Sequence, residues 1–73
     1  MPLTEEGVHI VYTALEQMTV AAKSMEDVVG VCALADSMAP QESLHADTAE
    51  HWCRHDALVD SILCKMIFGF TIL

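Results

Sequence analysis

Four residues grouped around Trp52 have side chains suited to chemistry: His45, His51, Cys53 and His55. Asp47, His51 and His55 are spaced i, i+4, i+8, which on a helix stacks one carboxylate and two imidazoles along a single edge. An i, i+4 histidine pair is a metal-chelating geometry, because adjacent turns bring both rings within reach of one ion. Asp47, His51 and His55 therefore form the candidate metal or small-ligand site, with His45 nearby and Trp52 as an apolar wall. A competing reading makes the same imidazoles a polar break in an apolar stripe, hydrogen-bonded at a subunit interface or beside Trp52. Cys53 points away from that edge.

Other constellations fall short. Glu42-x-x-His45 matches half of a carboxylate-bridged di-metal motif. The first helix offers no inward glutamate to complete it, since Glu16 lies opposite the apolar stripe. Cys53 and His55 are i, i+2, so a helix separates them by roughly 160°. There is no nucleophile elbow and no glycine-rich turn to cradle phosphate. The expectation is a protein that is not an enzyme and carries no cofactor.

The elements that must position these residues are helices. Thr4 can cap a first helix whose opening turn holds Glu5 and Glu6, favourably placed for the helix dipole. Val8, Val11, Leu15, Met18, Ala22, Met25, Val29 and Cys32 then follow in an unbroken heptad. That phase favours one long helix over about residues 4–38. Ser24-x-x-Asp27 resembles a capping box and offers an alternative, a break near Ser24 that gives three helices. Ala39-Pro40 makes the turn. A second long helix is expected over about residues 40–68, with Ser37 as cap, Gly69 as stop and an apolar tail over 69–73. Its apolar stripe includes Leu44, Trp52, Leu58, Val59, Ile62, Leu63 and Met66.

The reading is all-α and single-domain over residues 1–73. It is a helical hairpin that pairs with a second copy into a homodimeric four-helix-type bundle. The expected interface comprises Val8, Val11, Leu15, Met18, Met25 and Val29 from the first helix, with Trp52, Leu58, Ile62, Met66 and Phe70 from the second. The run over 28–35 is apolar all round, which calls for cover on more than one side.

Composition narrows the function classes. The chain has 73 residues, 53% of them apolar, and 11 acidic against 3 basic side chains, a formal charge of −8. A chain of this size buries only about 60% of its surface alone, so an apolar share this large points to contacts with other chains. So few cations argue against direct nucleic-acid binding, and no apolar run approaches the ~20 residues of a membrane span. Three cysteines without CxxC spacing suggest neither a disulfide framework nor a zinc ribbon. Cys32 and Cys64 are expected to be buried thiols. Residues 1–6 carry acids where a signal peptide needs bases, so a cytoplasmic protein is expected. Its expected partners are itself and a protein with a basic surface, such as a bacterial regulator or a nucleic-acid-handling enzyme, which it would inhibit or modulate in the manner of phage-encoded inhibitors. The alternatives are the metal- or ligand-binding module at Asp47, His51 and His55 and a purely structural assembly subunit.

Overall fold

The computed structural model describes residues 4–40 and 48–69. Three helices follow one another: α1 (Glu5–Ala21), α2 (Met25–Ser37) and α3 (Thr48–Phe68). Among the described residues there is no strand, and the chain is all-α as its periodicity implies. Thr4 caps α1, its Oγ1 accepting from the Gly7 N–H at 2.9 Å.

The first helix does not run to residue 38. It stops at Ala21, and α2 starts after a short turn. Two bonds make the break: Ser24 Oγ accepts from the Asp27 N–H at 3.2 Å, and Asp27 Oδ2 accepts from the Lys23 N–H at 2.9 Å. The physical reason lies in burial. A continuous helix would keep the heptad on one face, which a single chain could not cover along its length. Folding back at Ser24 lets α1 and α2 bury against each other and against α3.

The α2 C-terminus is closed by the Met38 N–H, which donates to the Leu34 and Ala35 carbonyls. Ser37 belongs to α2 and donates its hydroxyl to the Leu34 carbonyl at 2.8 Å, so it does not cap the next helix. Pro40 is not helical. Residues 41–47, which include Glu42, Leu44, His45 and Asp47, lie outside the described residues, as does the tail from Phe70 onward. Gly69 ends α3 with φ +78°, a left-handed conformation that favours glycine, and its N–H reaches the Lys65 carbonyl at 2.9 Å.

Direction follows from the cross-links. Tyr12 meets His51 and His55, while Lys65 Nζ donates to the Val20 carbonyl at 2.8 Å, so α1 and α3 run parallel. The same lysine brings a cation to the C-terminal end of α1, whose last turn has no basic residue of its own. The α2 helix runs opposite to both, its C-terminal end beside the start of α3. All three pairs of helices pack together.

The core joins Val8, Tyr12, Leu15 and Ala22 of the first segment with Val28, Val31 and Ala35 of α2 and Leu58 and Ile62 of α3. In α1 the buried phase is therefore 8, 12, 15, 19, 22, which includes Thr19. The expected interface set divides accordingly. Val8, Leu15, Leu58 and Ile62 are buried in the chain's own core and Val11 packs at its edge. Met18, Met25, Val29, Trp52 and Met66 are exposed. No helix among the described residues is long and apolar enough to cross a membrane.

Two substitutions test this packing. Leu58 has no exposed surface, so Leu58→Ala should cost about 2–5 kcal/mol, seen as a lower urea midpoint. Gly30 lies inside α2 with nothing within 4 Å of an added Cβ, so Gly30→Ala should instead gain about 0.5–1 kcal/mol.

Candidate functional site: a buried tyrosine–histidine knot

The polar centre of the molecule lies where all three helical segments meet. Tyr12 enters from α1, the Met38 carbonyl from the end of α2, and His51 and His55 from successive turns of α3. Tyr12 and His51 are each only 1% exposed, so their polar atoms depend on partners inside the protein.

Geometry assigns the protons. The Met38 carbonyl oxygen can only accept, and both the Tyr12 hydroxyl and His51 Nε2 lie 2.8 Å from it. The phenol therefore donates to Met38, and His51 carries a proton on Nε2. With its single hydrogen committed, the Tyr12 oxygen accepts from His55 Nδ1 at 2.9 Å, which places the His55 proton on Nδ1. His51 Nε2 also lies 3.2 Å from the phenolic oxygen.

Ring packing reinforces the arrangement. Tyr12 meets both imidazoles edge to face, with centroids 5.4 Å and 5.9 Å away. Trp52 stands edge to face on the other contact of His55, at 5.8 Å and 88°. Burial pushes the Tyr12 hydroxyl up to about 12, which keeps it a neutral donor throughout the ordinary pH range.

His51 and His55, placed together by their spacing, do share one side of α3, but they converge on a phenol and a carbonyl. Asp47 lies outside the described residues, and these hold no group of three or more His, Cys, Asp or Glu suited to a metal ion. A cation between the two rings would have to displace the hydrogen bonds to Tyr12 and Met38. Cys32, Cys53 and Cys64 are all exposed, so the burial expected of Cys32 and Cys64 does not occur.

Tyr12 is the residue that sequence reasoning missed. It stands i+4 from Val8 and i−3 from Leu15, so a second apolar phase running through Tyr12 and Thr19 could have marked it.

Beside the knot, α2 and α3 border an open groove of about 240 Å³. Cys32, Ala35, Val59, Ile62, Leu63 and Met66 supply its apolar lining, and Asp36 and His55 its polar part. His55 thus has one ring edge on the buried knot and another toward this surface. The structure defines an all-helical protein with a tyrosine–histidine centre and an apolar groove alongside. The chain matches no known protein family, no curated protein and no solved structure.

The knot makes two predictions. Tyr12→Phe keeps the ring but strips His55 Nδ1 of its acceptor, and should cost about 1–3 kcal/mol in urea unfolding. The second concerns alkaline pH. Below the ordinary value of 10 the phenol is neutral in both states, whereas between 10 and about 12 only the unfolded chain ionises. Stability should therefore be intact below pH 10 and fall as pH rises through about 12, by on the order of 2 kcal/mol. Tyr12 is the single tyrosine, so phenolate absorbance reports it alone.

Proposed function

We propose that this chain acts by protein–protein contact, as a small acidic helical modulator or inhibitor of a protein with a basic surface. A regulator or a nucleic-acid-handling enzyme of a bacterium or its phage is the kind of target that fits. The supporting observation is the condition of α2. It buries Val28, Val31 and Ala35 and leaves Val29, Cys32, Ala33 and Leu34 exposed. Apolar surface is thus left over on two flanks of a helix in a chain of charge −8. Exposed apolar area of this kind marks interaction surfaces, and a strong negative field steers them toward basic partners. The knot supports the same reading as scaffolding, since it pins together the helices that present that surface.

Affinity capture with the intact chain tests this. A basic protein should be recovered specifically at low salt and lost as salt screens the attraction. Recovery of no specific partner at low or moderate salt would overturn the reading.

Self-association into a homodimer is a second reading, favoured by the groove between α1 and α2. There the exposed Met18 and Leu34 flank Gly30, which offers a close approach. The dimer would join two three-helix units instead of two hairpins. Glu26 and Asp27 line the same groove, so salt should strengthen this contact by screening like charges. Sedimentation should show a dimer that grows with salt and that Leu34→Glu abolishes; a monomer at every salt concentration removes it.

A further inference from the structure

Resting on the contact reading above, we propose that the α2/α3 groove seats one amphipathic helix of about four turns, with lysine or arginine along its flanks. The occupant is a basic helix of another protein, and it completes the three helices to four.

The groove has the shape of an unfilled helix position. Cys32 lines it from α2, and Met25 and Val29 share that face at i−7 and i−3. Val59, Leu63 and Met66 line it from α3, with Trp52 seven residues before Val59 on the same face. Both helices thus present apolar side chains at heptad-like spacing along antiparallel axes, with Ala35 and Ile62 between them. A fourth helix packs ridges into such a groove. Its length is set by α2, whose 13 residues span about 20 Å.

Charge selects the occupant. Asp36 lines the groove, and Asp56 stands on the exposed α3 face between Trp52 and Val59. The cations lie elsewhere. Lys65 donates to Val20 on the α1 side, Arg54 pairs with Glu50 at 3.5 Å, and Lys23 sits in the turn between α1 and α2. A second copy of this chain would bring its own excess of carboxylates to an acidic rim. A basic helix brings the opposite charge, and its apolar stripe covers Trp52, Val59, Leu63 and Met66.

The test uses the intact chain and a synthetic amphipathic peptide of about 14 residues, leucine on one face and lysine on its flanks. A control peptide carries glutamate in place of lysine. Trp52 is the single tryptophan and is 45% exposed, so its fluorescence reports occupation of the groove. Saturable binding of one lysine peptide per chain is expected, at least about tenfold tighter than the glutamate peptide and weakened severalfold by added salt. Leu63→Glu should weaken it by roughly tenfold or more, whereas Val20→Glu, on α1 and 76% exposed, should leave it unchanged. Both positions are exposed, and circular dichroism verifies that each variant folds.

Equal binding of the two peptides, or equal loss in the two variants, would overturn the proposal. So would a wild-type dimer that Leu63→Glu converts to monomer, because the groove would then belong to a second copy. The contact reading fails separately. If affinity capture recovers a partner equally with wild type and Leu63→Glu, the reading stands and the groove assignment falls.

Discussion

The hydroxyl of Tyr12 is the point at which the three helices are tied. It donates to the carbonyl at the end of α2 and accepts from an imidazole of α3, while its own ring belongs to α1. Each of these groups would be costly to bury alone, and each is satisfied by the others. Because the Met38 carbonyl must end near the first turns of α3, the knot also fixes where α2 stops. It sets the parallel course of α1 and α3 at one end, and the Lys65–Val20 bond holds it at the other.

The division of the apolar residues follows from that arrangement. Three short helices around one polar centre can bury one narrow stripe each, here most enclosed at Tyr12 in α1, Val28 and Val31 in α2 and Leu58 in α3. A chain that is 53% apolar has more hydrophobic side chains than those stripes take up. The surplus lies outside on all three helices: Ile10 and Val20 on α1 and Val29 on α2 are largely exposed, and Trp52, Leu63 and Met66 on α3 about half exposed. Asp36 lines the α2/α3 groove, while Lys65 reaches the α1 side, Arg54 pairs with Glu50 and Lys23 sits in the turn.

The histidines illustrate how one spacing supports two chemistries. Residues i and i+4 on a helix come together whatever they bind, so His51 and His55 were bound to share an edge. What they meet there depends on the helix opposite, and α1 supplies a phenol. Hydrogen-bond directionality at a carbonyl that cannot donate then sets the tautomers of both rings. A structural role for His51 follows from these bonds, while partly buried His55 also borders the groove.

By itself, the sequence determined the helical class, the cap at Thr4, the stop at Gly69 and the shared edge of His51 and His55. These depend on neighbours within a few residues, where backbone chemistry and the helical period act directly. It also contained both the heptad from Val8 to Cys32 and the capping signal at Ser24, and the unbroken heptad favoured the wrong one, a single helix. Only the tertiary structure decided in favour of the break, because the choice turns on whether α3 is there to cover two short stripes. It decided likewise that Tyr12 and Thr19 lie inside while Met18, Met25 and Val29 lie outside. Burial is a property of what packs opposite a residue, and that partner lies tens of positions away in the chain.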